Sequence, residues 1–399
     1  TAGIAAAAVI GAPAIVRGQN MNSKINLGML GSGSRGGLLL RTMQKHDKLF
    51  VTDLCDIYPP NLKEASTYVI NNDKLRTTDK WQDVLEKKDV DAIMIGAPLH
   101  LHVPMSGASL DAGIHVYSEK SMALNMKHLN QISAKVPQHA DLVYVVGYQD
   151  HYLETLDEAK RLIDEGSIGK VTQFSVHFDR NSTWKKEGVP EEWERILNWR
   201  LYKEYCGGVL TEVVTHEIDQ VMYILGSMPR SASFTGKIAV YKDQREHHDS
   251  VMGTWDWEND IIGFGTGHFS NTYRGIGWVI QGTHGTIVSE NGTLKIYWEK
   301  AARHLDSFGI NHKFTKVELG ESLDDTASSK MTKPKIVKPK EEDTTDIILK
   351  DFVDCVQNGK QPNSNWESAR KSSIAALMAY ESSMNGGKVT TLEDIEKLG

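Results

Sequence analysis

From Ile25 to about Gly147 the apolar residues fall in short unbroken runs: INLGML, LFVTDLC, DAIMIGA, IHVYS and LVYVVG. A half-exposed strand alternates apolar with polar residues, whereas a continuous run belongs to a strand covered on both faces. Between the runs lie GLLLRTMQKH, PNLKEASTYVI, WQDVLEKK, HVPMSGASLDAG and LNQISAKVPQ, each long enough for a helix. Strand–helix–strand repetition predicts a parallel sheet with right-handed crossovers, an α/β Rossmann domain over residues 21–147.

After Gly147 the pattern changes. One helix, LDEAKRLIDEGSIG, ends in Gly166 and Gly169, both suited to a C-cap or turn. Longer segments with partial alternation follow: KVTQFSVHF, RSASFTGKIAV, SVMGTWDWE, IIGFGTGHFS, GWVIQG and GTIVSE, with ENGT as a hairpin signal. Strands without crossover helices predict an α+β domain over 148–390, built on a large, open, mostly antiparallel sheet. An uncovered apolar sheet face is unfavourable in water, so it predicts a homodimer or homotetramer. The Lys- and Pro-rich stretch within 318–344 reads as a solvated excursion. The two closing helices, 345–385, are expected to pack back on the first domain.

Length and composition narrow the classes. A chain of 399 residues suits two domains, and 40% hydrophobic with 24% charged residues is an ordinary globular balance. A net charge of −7 argues against nucleic acid as a partner. Cys55, Cys206 and Cys355 are distant and odd in number, which fits buried thiols rather than a zinc site or disulfide framework. The opening Ile4–Val16 stretch falls short of the ~20 residues that span a bilayer. With Ala12-Pro13-Ala14 behind it, it matches the apolar core and small-residue site of an export signal. Residues 1–20 are therefore read as a signal remnant of the twin-arginine type, predicting a periplasmic protein; read as an ordinary arm, they leave the protein cytoplasmic.

The chemistry begins at Gly31-Ser32-Gly33-Ser34-Arg35-Gly36, a GxGxxG turn directly after a strand and opening a helix. Such glycines permit the tight turn, the approach of backbone to a pyrophosphate, and close helix–strand packing. Asp56 closes the next strand, 20 residues beyond Gly36, where a carboxylate accepts from a ribose 2′-hydroxyl and repels a 2′-phosphate. The predicted cofactor is NAD(H). Ile57, Ala97, Pro98, His100, His102, Glu119, Lys120 and Gln149 lie at further carboxyl ends of strands and join the expected cofactor site. No metal is expected, since His100 and His102 have no third ligand beside them.

Lys120 at that edge is placed to hydrogen-bond a substrate hydroxyl and lower its pKa. Further on, Glu212, His216 and Asp219 are spaced to share one face of a helix, pairing an imidazole with carboxylates. Glu212 is expected to orient His216. Trp199, Arg200, Asp219, Tyr148 and Arg180 are the candidate substrate-binding residues.

Together the nucleotide turn, APLHLH, EKSM, GSIGKV, NWRLYKEYCGG and the E…H..D helix resemble the Gfo/Idh/MocA oxidoreductase family, from about Ile25 to Thr390. The resemblance implies sugar or inositol chemistry, with Lys120 and His216 flanking the reacting carbinol, His216 as acid/base, and Trp199 and Arg200 positioning substrate. Ser121 stands where the family's lysine motif has proline, often in a cis peptide, and Glu212 where it has aspartate. The implied activity is oxidation or reduction of a ring hydroxyl of a sugar or glycoside with tightly held NAD. The alternatives are a glycosidase working by transient oxidation and elimination, and an inactive NAD-binding sensor or scaffold.

Overall fold

The structure is a computed structural model; it describes residues 24–70, 73–299, 331, 333–340 and 343–399. The export stretch and most of the Lys/Pro-rich excursion lie outside these residues.

The first domain alternates β1 (Ile25–Leu30), α1 (Ser34–Met43), β2 (Leu49–Cys55), α2 (Pro59–Ser66), β3 (Arg76–Thr78), α3 (Trp81–Leu85), β4 (Ala92–Ile95), α4 (His102–Asp111), β5 (His115–Ser118), α5 (Met126–Lys135) and β6 (Tyr144–Val146). The six strands pair in parallel in the order β3-β2-β1-β4-β5-β6. The order reverses at β1/β4, where ligands settle in doubly wound sheets. Leu27, Met29 and Met94 are buried on one face and Leu30, Ile93 and Ile95 on the other, so the unbroken apolar runs reflect cover on both faces.

The second domain opens with α6 (Glu154–Asp164), β7 (Val171–Asp179) and α7 (Glu194–Leu197). A single π turn, Leu210–Val214, then leads into α8 (Thr215–Leu225), which Gly226 ends in the left-handed conformation at φ 65°. Strands β8 (Pro229–Lys237), β9 (Ser250–Trp257), β10 (Ile261–His268), β11 (Ile276–Gly282), β12 (Gly285–Glu290), β13 (Thr293–Trp298) and β14 (Lys335–Val337) follow. Helices α9 (Thr344–Asn358) and α10 (Trp366–Met384), then β15 (Thr390–Thr391) and α11 (Leu392–Glu396), complete the chain. The nine-stranded sheet runs β14-β13-β12-β11-β7-β10-β9-β8-β15, antiparallel except between β7 and β10.

Helices α6, α8 and α10 cover one face of this sheet. Trp255, Trp257, Trp278, Phe174 and Phe234 fill the layer between. Burying one such ring is worth ~4–6 kcal/mol of transfer free energy. The opposite face carries Met252 and Ile262, each 55% exposed, so among the described residues no layer covers it.

The two C-terminal helices part company. Helix α9 returns to the first domain, with Ile348, Leu349, Phe352 and Cys355 packed against its core. Helix α10 instead lies mainly on α8 and β8, reaching the first domain at α5. Asp343 and Asn365 cap them, accepting from Thr345 N at 2.9 Å and Ser368 N at 3.0 Å.

Candidate active site

The glycine turn fits a dinucleotide. Gly31 has φ 85°, and a Cβ there would meet Ala97 N at 2.6 Å; one at Gly36 would meet Gly31 O at 2.1 Å. Gly33 is different, because the nearest atom to its added Cβ is Asn61 Nδ2 at 3.4 Å. Its side is a cradle left for something else. Gly33 also caps α1 without a side-chain hydrogen bond, so the first amides of the helix keep their donors for a phosphate.

Asp56 ties the turn to the end of β2. Its Oδ2 accepts from Ser32 N at 2.8 Å, Ser32 Oγ at 3.2 Å and Asn61 Nδ2 at 3.3 Å, and its Oδ1 accepts from Tyr58 N at 2.9 Å. Tyr58 N takes one of the two lone pairs on Oδ1, so a ribose hydroxyl can donate to the other. Ile57 beside it is half-exposed, an apolar surface at the turn's edge. Arg35 knits the rim together: Nε donates to Glu119 Oε1 at 2.8 Å, and the other guanidinium nitrogens reach Thr345 Oγ1 and Gln149 Oε1, both at 3.3 Å. Arg35, Glu119 and Gln149 thus act first as one brace at the cofactor edge.

His102 departs from its expected place among cofactor contacts. It is buried, with Nδ1 2.9 Å from Ser121 O and Nε2 3.0 Å from Ala97 O. A neutral imidazole has one N–H, so it donates to one of these two carbonyls and ties itself to a loop of the sheet edge. Burial lowers its pKa, opposed by those carbonyls. His100, two residues after Pro98, meets the Tyr205 ring at 4.8 Å, and burial pushes its pKa down to about 4.

Lys120 follows β5 and reaches across to the second domain. Its Nζ donates to Glu212 O at 2.5 Å, and Ser121 Oγ donates to Thr211 O. Both acceptors belong to the π turn, whose altered pairing leaves carbonyls facing outward, as π turns at functional sites often do. The Lys120–Ser121 peptide is cis, so serine occupies the motif position in the conformation the resemblance implies. Burial lowers the Lys120 pKa, while Glu212 opposes the fall.

The same π turn overturns the expected Glu212–His216 pair. One extra residue in the turn takes the two side chains out of regular i, i+4 register. Glu212 is buried and pairs instead with Arg200, at 3.3 Å. His216 Nδ1 faces Asp150 Oδ2 at 3.7 Å. Burial drives the His216 pKa well below its usual value, with the Lys120 and Arg35 charges adding to the effect. The imidazole is neutral at pH 7 and free to accept a proton.

Asp219 is also displaced from its expected role. Its Oδ2 lies 2.7 Å from His151 Nε2 and its Oδ1 accepts from Ser372 at 2.6 Å, all within the core. It contacts no open surface and holds the fold rather than a substrate. Tyr148 is buried too, its hydroxyl 2.8 Å from Thr215 Oγ1 and its ring edge-on to His216 at 6.0 Å. Arg180 is exposed at the end of β7, its N–H donating to His268 O at 3.0 Å; the cation at the Glu212 carboxylate is Arg200. Arg200 stacks over Trp199 at 4.1 Å and lies 6.0 Å from Trp184, which packs on Phe269. Asp150, Trp184 and Thr211 escaped the sequence reading. Asp150 alone carried a signal, standing two residues beyond Tyr148 at the same carboxyl edge as Lys120.

The segment between β7 and the π turn touches the nucleotide edge twice. Trp193 meets Tyr58 edge-on at 5.1 Å, just past Asp56, and Tyr205 O accepts from His100 N at 3.1 Å beyond Pro98.

Two models of one family match the chain: an oxidoreductase family with NAD-binding Rossmann fold over residues 25–148, and the GFO/IDH/MocA C-terminal domain over 156–288. Together they cover more than half of it. The chain belongs to the Gfo/Idh/MocA family. A 2,7-anhydro-N-acetylneuraminate hydratase of Escherichia coli (strain K12) is 26% identical over 312 residues, 77% of each chain. A glycosyl hydrolase family 109 protein of Stenotrophomonas maltophilia (strain K279a) is 34% identical over 182 residues, 42% of this chain and 38% of its own. A solved levoglucosan dehydrogenase, in complex with NADH and levoglucosan, superimposes with a TM-score of 0.72 at 18% identity, covering 93% of this chain and 100% of its own. The Rossmann sheet followed by a mixed, mostly antiparallel sheet is thus the family's architecture.

Proposed function

We propose that the protein is an NAD-dependent oxidoreductase acting on a ring hydroxyl of a sugar or glycoside. One arrangement supports the reading: Lys120 of the first domain is held on Glu212 O in the turn just before His216, near enough for its charge to act on that imidazole, and the glycine turn beyond is open. Gly31, Gly33, Gly36 and Asp56 would hold NAD, which when bound supplies the hydride acceptor. His216 takes the hydroxyl proton, and neutrality at pH 7 makes it competent to do so. Lys120 keeps one N–H on Glu212 O and has two left for the substrate oxygen, which its charge polarises. Trp199 and Arg200 present an aromatic face and a cation on which a sugar ring can stack. Positioning supplies much of the acceleration.

The same reading holds the cofactor tightly. The contacts at Trp193–Tyr58 and Tyr205–His100 lay one segment of the second domain along the nucleotide edge, which favours slow release. The apolar stripe at Met252 and Ile262 supports assembly through the open sheet as a dimer or tetramer. The signal-like opening supports export to the periplasm, where a retained cofactor must be recycled in place. Measuring NAD(H) in exported protein after gel filtration tests this; an apo protein that needs millimolar added NAD contradicts it.

The likeness to a glycosyl hydrolase family 109 protein favours a second reading, in which transient oxidation drives elimination and the cofactor returns unchanged. A panel of sugars and glycosides, followed at 340 nm and for leaving-group release, separates the two. Net reduced cofactor supports the dehydrogenase, and release without net absorbance supports the glycosidase.

A further inference from the structure

We propose that Asp150 is the positioning residue for His216, replacing Glu212 in that role and holding the imidazole with its Nε2 unprotonated toward the substrate. The inference rests on the reading of His216 as the proton acceptor.

Two groups converge on one oxygen. His216 Nδ1 lies 3.7 Å from Asp150 Oδ2, and Gln220 Nε2 donates to that same Oδ2 at 2.9 Å. Gln220 stands one turn beyond His216 on α8, on the same side of the helix. The direction of its amide is fixed from behind: Trp278 Nε1 lies 2.8 Å from Gln220 Oε1, and an indole nitrogen can only donate. Gln220 must therefore turn its NH2 toward Asp150. A buried tryptophan on β11 thus sets a glutamine, the glutamine sets a carboxylate, and the carboxylate faces the histidine.

His216 Nδ1 is buried and finds no hydrogen-bond acceptor among the described residues other than this approaching carboxylate. In structures without substrate, catalytic hydrogen bonds are commonly long and tighten on binding. A carboxylate at Nδ1 favours the Nδ1–H tautomer and leaves the Nε2 lone pair outward. The edge of Tyr148 at 6.0 Å limits rotation of the ring. Glu212 turns elsewhere: its Oε2 accepts from Arg200 at 3.3 Å and its carbonyl from Lys120, while its Oε1 is buried without a hydrogen-bond partner among the described residues.

The pH dependence follows from the surroundings. Asp150 is pushed up to about 6, first by burial and then by Asp219, against the pull of His151, Gln220 and Arg35. Glu217, on the same helix, is pushed well above its usual range by burial and by Asp150, with Lys120 opposing. His216 lies well below its usual value. As pH falls through about 6, Asp150 gains a proton and ceases to accept from Nδ1. The acid limb of kcat/KM therefore belongs to Asp150, and activity is present above it and lost below.

The test uses the full chain with bound NAD. Nitrogen-15 spectra of its histidines, with His216 assigned by H216Q, report the tautomer directly. The wild type should show His216 as Nδ1–H at pH 7.5. Asp150→Ala should give a mixed tautomer and a kcat lower by about 10–100-fold, with KM and NADH affinity within about twofold, and Asp150→Asn should remove the acid limb near 6. Glu212→Gln should leave the tautomer as it is. A tautomer and a pH profile unmoved in both Asp150 variants, or a tautomer lost in Glu212→Gln instead, overturns the proposal. If the tautomer responds as stated while no sugar is oxidised, the positioning stands and the proposed function falls.

Discussion

Two imidazole–carboxylate pairs lie side by side where the segment after β6 meets α8, and they differ in everything except composition. His151 and Asp219 meet at 2.7 Å with each side chain 1% exposed, and Ser372 completes the carboxylate's partners. His216 and Asp150 stand 3.7 Å apart, at 16% and 23% exposure. In the first pair burial alone would lower the His151 pKa, but Asp219 outweighs it and the value rises. In the second, burial prevails and the His216 value falls. The closed pair is a buried clasp that ties the segment after β6 to α8; the open pair is a neutral base beside an acid. Distance to the partner and access to the cleft, not residue type, separate structure from chemistry here.

The comparison breaks most visibly at the open pair. His216→Ala or Lys120→Ala should lower turnover by about 10²–10⁴-fold, with NADH affinity, read by fluorescence titration, changed less than about threefold. Equal losses in binding and turnover would place these residues with the fold instead. At the closed pair the loss moves to stability: Asp219→Asn should cost about 3–5 kcal/mol in urea unfolding, because a buried charge is left without its partner. Its pH signature has a definite sign. His151 titrates higher in the folded state than its usual 6.5, so its stabilisation is complete below 6.5 and is lost as pH rises through the folded value. That fall should be absent in Asp219→Asn. The smallest effect falls on neither pair: Gly33→Ala, whose methyl would meet only Asn61 at ordinary contact distance, should fold normally yet weaken NADH by about tenfold, ~1.4 kcal/mol. Unaltered NADH affinity would show that the cradle at Gly33 is not used.

Much of this was legible in the sequence. LFVTDLC and GTIVSE coincide with β2 and β12, because fully or alternately buried strands leave period and length as their mark. The short β3, β14 and β15 left none, since two or three residues carry no period. Lys120 and His216 could be named from their places after a strand and on a helix. Their partners could not. Asp150 meets His216 across a gap of 66 residues, and His102 was misread because its two partners are carbonyls, which no side-chain pattern displays. The π turn was invisible for a related reason: VLTEVVTHEIDQ reads as plain helix at every position.

That single surplus residue between Gly208 and Thr215 settles a choice between two exclusive designs. With one residue fewer, the helix would run straight, Glu212 would swing beneath His216, and the carbonyls now gripping Lys120 and Ser121 would turn inward to their own ladder. The chain has surrendered a partner close in sequence to gain a clasp between its halves, and so its base must borrow an acid from the segment that follows β6.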